Sequence, residues 1–150
     1  NAHMVDVGDK AITKRVAIAE GWIQLSNAAA AAVKERRAAK GDVLATAQLA
    51  GIQAAKRTSD LIPLCHTLPL SAVDVTLDLE GATNRVYCQA TAQVIWRTGV
   101  EMEALTAVSV ALLTVYDMVK AIDRSMVLGP IQLLEKSGGR SGHWVRLAEK

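Results

Sequence analysis

Apolar and polar residues alternate most regularly in two neighbouring stretches, residues 72–81 and 85–97. In the first, "AVDVTLDLEG", every second residue is apolar: Val73, Val75, Leu77 and Leu79. The second, "RVYCQATAQVIWR", keeps the same period, with one face formed by Val86, Cys88, Ala90, Ala92, Val94 and Trp96. A two-residue period is typical of half-buried strands. With the turn-rich "EGATN" between them, the two stretches predict an antiparallel hairpin.

The segments before this hairpin predict a strand and two helices. Residues 12–25 alternate loosely as a strand, in which we expect Gly21 to form a bulge that swaps the faces. Ser26 or Asn27 can cap a helix in "AAAAAVKERR". Asp42 can cap a second helix that we expect to end near Ser59.

The rest of the chain completes the predicted order of elements. "LIPLCHTLPL" contains two prolines and predicts a shaped loop. A helix is expected from about Val100 to Arg124, and "MVLGPIQLLEK" predicts a final strand. The order β-α-α-β-β-α-β has one helix more than the ferredoxin-like pattern. The sequence thus predicts one α+β domain, residues 1–150, with a ferredoxin-like antiparallel sheet and helices on one face.

Composition narrows the classes of function. The net charge of +2 is too small to indicate nucleic-acid binding, and with no Phe, three Trp and two Tyr the chain offers few aromatic rings for base stacking. The apolar run 105–115 is shorter than the roughly 20 residues of a membrane span. We therefore expect neither nucleic-acid nor membrane partners.

Compartment and metal content are expectations of the same kind. "NAHMVDVGDK" does not look like a signal peptide, and Cys65 and Cys88 have no CxxC spacing, so we expect a cytoplasmic protein with reduced thiols. No HExxH or comparable ligand cluster is present, so no metal site is expected.

Two glutamates stand at the start of the last predicted helix, in "TGVEMEALTAV". Thr98 and Glu101 have the T-x-x-E spacing of a capping box, which gives Glu101 a structural explanation. Glu103 lies outside that box, and a buried carboxylate is costly unless it is paired.

Asp117 and Lys120 lie one turn apart near the end of the same helix. They form either an ordinary surface ion pair or a partly buried pair whose pKa values move toward neutrality, and their spacing does not choose between these. Helical rise puts Glu103 and Asp117 about 21 Å apart. One small ligand could reach both only if two copies of the helix contribute, which suggests a site shared between subunits.

Two further segments carry candidate chemistry. His66 is either a proton donor on a fixed loop or a satisfied buried imidazole, and a dyad with the adjacent Cys65 is not expected because neighbouring side chains in extended chain point apart. "KSGGRSG" combines Lys136 and Arg140 with glycines, which fits either an anion-binding loop or a mobile loop, but not a Walker A motif.

Four stretches together closely resemble the cyclic pyranopterin monophosphate synthases, the C proteins of molybdenum cofactor biosynthesis: "MVDV", "KGDVLATAQLAGIQAAKRTSDLIPLCH", "TGVEMEALTAVSVALLTVYDMVKA" and "KSGGRSG". The resemblance runs nearly end to end. It implies conversion of 3′,8-cyclo-7,8-dihydroguanosine 5′-triphosphate to cyclic pyranopterin monophosphate with loss of diphosphate. It also implies a hexamer built from dimers with sites at subunit interfaces, and no cofactor beyond Mg²⁺ that can accompany the triphosphate.

Site roles follow from the same resemblance. Asp117 and Lys120 are implied to be the acid/base pair. The residues implied to line the substrate pocket are Leu64, Cys65, His66, Met102, Glu103 and, beside its capping role, Glu101. The candidate triphosphate contacts are Lys40, Arg15, Lys136 and Arg140.

Some positions depart from the common family pattern, and they bear on affinity more than on substrate class. Thr67 stands where proline is usual, Trp96 and Arg97 where glycine and lysine are frequent, and Arg140 where lysine is usual. Two alternatives to the synthase stay open from the sequence: a ligand-binding oligomer without turnover on the same fold, and an RNA-binding module.

Overall fold

The computed structural model of the chain describes residues 1–147. Within them one antiparallel sheet contains five strands, in the spatial order β2-β3-β1-β4-β5. The strands are β1 (Thr13–Gln24), β2 (Leu70–Glu80), β3 (Arg85–Trp96), β4 (Val127–Ser137) and β5 (Trp144–Val145). Helices pack against the sheet, which confirms the predicted α+β class and ferredoxin-like arrangement. The short β5 was not predicted.

The predicted hairpin is confirmed in its register. Val75 pairs with Ala90 and Leu77 with Cys88, so the apolar residues of β2 and β3 share one face. In β1 the buried side chains alternate without a break, and the faces do not swap. The bulge expected in β1 at Gly21 is wrong, because the extra residue lies in β4: Gly21 pairs with Ile131, whereas Ile23 pairs with Leu128.

Four helices are present among the described residues: α1 (Asn27–Lys34), α2 (Val43–Lys56), α3 (Thr58–Leu61) and α4 (Glu101–Val119). The Ser26 hydroxyl accepts from the Ala29 amide and the Asp42 carboxylate from the Ala45 amide, each at 3.1 Å, so both predicted caps are confirmed. The predicted capping box of α4 is wrong. Its cap is Val100, without a side-chain hydrogen bond.

Small residues let the helices approach closely. A Cβ added to Gly51 of α2 would lie 3.0 Å from the Ala107 carbonyl and 3.3 Å from Ala111, both in α4. A Cβ on Gly21 of β1 would lie 2.8 Å from Val108 on the sheet-facing side of α4. Because interiors are close-packed, these contacts fix α4 between α2 and the sheet.

Helix α4 is long and apolar enough to cross a membrane by length and composition alone. In the fold, however, 56% of its most apolar window is buried, and it packs against α2, β1, β3 and β4. It is the core helix of a globular domain. Its two ends carry Glu103 and Asp117.

Candidate functional site

The first part of the candidate site is a cavity of about 530 Å³ at the N-terminal end of α4. It lies between the N-terminal segment, the loop after α3 and the first turn of α4. All six residues expected to line a substrate pocket are in its wall: Leu64, Cys65, His66, Glu101, Met102 and Glu103. We call it the Cys65–Glu103 cavity.

Glu103 is the most deeply buried acid in this wall, with 3% of its surface exposed. Its Oε2 lies 3.7 Å from the Cys65 thiol, which donates a weak hydrogen bond, while its Oε1 is buried without a hydrogen-bond partner among residues 1–147. Burial is the main cause that raises the pKa of the Glu103 carboxyl above its ordinary value. The cavity therefore contains a carboxyl that gains and loses its proton closer to neutrality than an exposed glutamate.

Cys65 and His66 face different partners. Burial, followed by the negative charge of Glu103, raises the pKa of the Cys65 thiol to about 11, which favours the protonated thiol at neutral pH and disfavours a nucleophilic role. The His66 Nε2 lies 2.6 Å from the Val5 carbonyl, to which it can only donate. None of these contacts joins the Cys65 thiol to the His66 ring.

The second part is an adjoining cavity of about 590 Å³ that contains Arg15, Gly139 and Arg140. We call it the Arg15–Arg140 cavity. The Arg15 side chain is 7% exposed; its Nε donates to the Trp96 carbonyl at 3.1 Å and its Nη2 to the Ala11 carbonyl at 3.2 Å. These bonds hold the guanidinium in a fixed position at the cavity wall.

Two glycines shape the loop around Arg15. Gly138 and Gly139 have φ values of +94° and +74°, and a Cβ on Gly139 would overlap the Arg15 guanidinium. The loop thus passes directly over this cation, as only glycine permits. Arg140 and Ser141 of "KSGGRSG" line the cavity with Arg15, and Lys136 adjoins it by donating to the Ser141 hydroxyl.

Lys10 lines both cavities and was missed by the sequence reasoning. It belongs to no periodic element, so hydropathy gives no signal for it. Its place in the sequence, between "MVDV" and the nearby Arg15, is a signal that could have been used. Lys10 makes the two cavities neighbours, with a positive charge where they meet.

The third part lies at the opposite end of α4. Asp117 accepts from Lys40 through Oδ2 at 2.8 Å and pairs with Lys120 through Oδ1 at 2.9 Å. The two lysines, Lys40 first, lower the pKa of Asp117. All three side chains are about half exposed. We call this group the Lys40–Asp117–Lys120 cluster.

In the single chain this cluster matches the first of the two alternatives left open by the spacing, an ordinary surface ion pair. Asp117 is exposed and its pKa is lowered, so the pair is not the partly buried one with pKa values shifted toward neutrality. Lys40, which the family resemblance implies as a triphosphate contact, lies against Asp117 in the single chain. The helical rise separates Asp117 from Glu103 by about 21 Å along α4.

The positions that depart from the common pattern have structural contacts of their own. The Thr67 hydroxyl donates to Ser59 of α3 at 2.9 Å, and the Arg97 guanidinium stacks over the Trp96 ring at 5.2 Å. Arg15 binds the main-chain carbonyl of Trp96, a contact that does not depend on the side chain there. The fixed geometry of Arg15 is therefore compatible with tryptophan at this position.

The chain matches a known protein family. The sequence model described as the MoaC family matches residues 4–139, which include every predicted site residue except Arg140. The matched range ends within the glycine-rich loop. Among residues 1–147, no group of three or more His, Cys, Asp or Glu side chains is placed to hold a metal ion.

Proposed function

The chain belongs to the MoaC family, the cyclic pyranopterin monophosphate synthases of molybdenum cofactor biosynthesis, and we propose that its active site combines the two ends of α4 from different subunits. Family membership makes it a lyase that acts on the cyclic precursor of the pterin, and it favours the synthase over the ligand-binding oligomer without turnover. The residue roles and the assembly below are proposals. The observation that carries them is the separation of the predicted site residues into groups at opposite ends of one helix.

The triphosphate is assigned to the Arg15–Arg140 cavity. Arg15, Arg140 and Lys10 line it, and Lys136 adjoins it through Ser141. Guanidinium groups bind phosphate oxygens through paired N–H donors, and a fixed guanidinium loses little entropy on binding. When a sugar hydroxyl attacks the α-phosphorus, the bond to the leaving diphosphate breaks, and these cations stabilise the charge that the diphosphate takes with it.

The modified purine is assigned to the Cys65–Glu103 cavity, which Lys10 connects to the phosphate side. Opening the purine and closing the pyranopterin require proton transfers, and a carboxyl with a raised pKa suits such a role. Glu103 is placed against the substrate with Glu101 beside it. His66 is tied to Val5 and shapes the wall.

The acid/base pair Asp117 and Lys120 is assigned to a second subunit. Both are exposed in the single chain and about 21 Å from Glu103 along α4. In a two-fold dimer the exposed end of each α4 could complete the cavity of its partner, so that each dimer has two equivalent sites. We propose this arrangement within a hexamer built as a trimer of dimers. Burial there would raise the pKa of Asp117 from its lowered value.

Other partners follow from the same assignment. Asp9 is the acidic residue among the described wall of the Arg15–Arg140 cavity, so Mg²⁺ that accompanies the substrate would be held chiefly by the phosphates. Cys65 and Cys88 are free thiols, which supports a cytoplasmic location. Neither nucleic acid nor membrane is proposed as a partner.

Mixing two inactive variants tests the shared site. Asp117→Asn and Glu103→Gln damage opposite ends of α4, so a mixed dimer would contain one doubly damaged site and one intact site. After dissociation and random reassociation of equal amounts, we expect about a quarter of wild-type activity, because half of the dimers are mixed and half of their sites are intact. Product is measured as pterin fluorescence after oxidation.

A matched mixture controls this experiment. Asp117→Asn with Lys120→Ala damages the same end of α4, so every mixed dimer keeps one damaged residue in each site and no recovery is expected. Equal recovery in both mixtures, or none in either, would contradict a site built by two subunits.

A further inference from the structure

Among residues 1–147, the Cys65 thiol has one polar partner outside its own loop, and that partner is Glu103. The Sγ to Oε2 distance of 3.7 Å lies within the range for a sulfur donor. Cys65 comes from the loop after α3, whereas Glu103 comes from the first turn of α4, so the contact joins two walls of the Cys65–Glu103 cavity.

The second carboxylate oxygen of Glu103, Oε1, has a different environment from Oε2. Glu103 is 97% buried, as its 3% exposure implies, and its Oε1 has no hydrogen-bond partner among the described residues. A buried carboxylate oxygen without a partner is costly, so its retention at a cavity wall points to a ligand that supplies the missing hydrogen bond. One oxygen is held by the protein and the other is left for the substrate.

We propose that Cys65 is a positioning residue for catalysis: its thiol holds Oε2 of Glu103, so that Oε1 faces the bound purine. The proposal rests on the proposed function, in which Glu103 contacts the substrate. Cys65 itself forms and breaks no bond. Its thiol remains protonated at neutral pH, which keeps it a hydrogen-bond donor.

Other titratable side chains face the cavity that contains Glu103. His3 and Lys10 come from the N-terminal segment, His66 from the loop and Glu101 from α4, and all four line the same cavity. Burial, and after it repulsion by Glu101, raise the pKa of Glu103, whereas its own backbone amide and then the Cys65 thiol lower it because they stabilise the ionised form. Loss of the thiol alone should therefore raise the pKa of Glu103 further.

Three variants test the assignment. Cys65→Ala removes the donor, Cys65→Ser keeps an O–H donor on a shorter bond, and Cys88→Ala removes a thiol that is buried in β3 away from the cavity. The carboxyl carbon of Glu103 is titrated by ¹³C NMR and assigned by its absence in Glu103→Gln. Turnover is measured on the same samples, with circular dichroism to confirm that each is folded.

Cys65→Ala is expected to raise the pKa of Glu103 and to lower kcat about tenfold with little change in KM, as for loss of one hydrogen bond to a carboxylate. Cys65→Ser should lie between Cys65→Ala and wild type, and Cys88→Ala should match wild type. An unchanged Glu103 pKa in Cys65→Ala, or a shifted pKa with unchanged kcat, overturns the proposal. If the pKa of Glu103 differs between wild type and Cys65→Ala but the wild-type protein forms no pterin, the proposed function is overturned instead.

Discussion

The two ends of α4 carry carboxylates in opposite environments. Glu103 is buried at the first turn with a raised pKa, and its position is fixed by the core and by the neighbouring loop. Asp117 is exposed near the last turn with a lowered pKa, and two lysines hold it. The contacts that hold Glu103 at the first end come from its own chain. At the second end, the three charged side chains pair with one another but remain about half exposed. Such exposure is what we expect of groups that contact the cavity of another subunit.

The largest expected effect comes from the exposed end. Asp117→Asn or Lys120→Ala should lower turnover at least about 100-fold, the range for loss of a general acid or base, while the fold and the assembly remain intact. Pterin formation, circular dichroism and sedimentation measure the three properties. Asp74→Asn, an exposed acid on β2, is the matched control and should behave as wild type. Near-normal product from either cluster variant would refute the assigned roles.

The next effect compares the stability lost on removing the buried Arg15 with that lost on removing the exposed Arg140. Arg15→Ala should lower the free energy of unfolding by about 2 kcal/mol, because two main-chain carbonyls lose their donor. Arg140→Ala, at an exposed position, should change stability by less than about 0.5 kcal/mol. Both should weaken inhibition by diphosphate about tenfold. Urea unfolding and diphosphate inhibition test them, and equal stability losses would contradict the different anchoring of the two arginines.

A smaller effect is expected at Lys40. Lys40→Ala removes one of two donors to Asp117, so the pKa of Asp117 should move up toward its ordinary value while Lys120 still pairs with it. Turnover should fall roughly threefold and stability should not change, since exposed ion pairs contribute little. Lys34→Ala, at another exposed lysine of the same region, serves as control. A loss as large as that of Lys120→Ala would assign Lys40 a direct role in the chemistry.

The smallest effect concerns pH and the buried end. The raised pKa means that folded Glu103 holds its proton more tightly than the unfolded chain, so stability falls as pH rises from the unfolded value through the folded one. The free energy of unfolding of Glu103→Gln, relative to that of wild type, should therefore be higher at about pH 8 than at about pH 4. Urea unfolding at the two pH values measures this difference. Glu35→Gln, an exposed glutamate, should show no such gain. A constant difference at both pH values would contradict the raised pKa.

Periodicity was sufficient for much of the fold. The alternation of apolar and polar residues predicts β2 and β3. The caps at Ser26 and Asp42 are predictable because a side-chain oxygen just before a helix-forming run can accept from the free amides of the first turn. The capping box of α4 failed although its T-x-x-E spacing was correct, because the helix begins after Val100. Spacing states which bonds are possible, and the packing of the neighbouring segments decides which of them form.

The candidate site was predictable for residues in long motifs and not for others. The two walls of the Cys65–Glu103 cavity come from motifs that resemble the family, and they do meet. Lys10 lies in a segment without regular structure, and the pairing of Lys40 with Asp117 joins residues 77 positions apart, which no local pattern encodes. The sequence predicts a bulge at Gly21, whereas in the structure the missing side chain allows the close contact with α4.

The contact at Gly51 has a consequence for variation and engineering. A side chain there would push against the Ala107 carbonyl and displace the α4 axis. Since Glu103 and Asp117 are attached to that one rigid helix, both would move together, each relative to a different set of surroundings. A residue that meets no ligand thereby sets the alignment of two reactive groups, and libraries that seek altered rates with unaltered contacts should begin at this position.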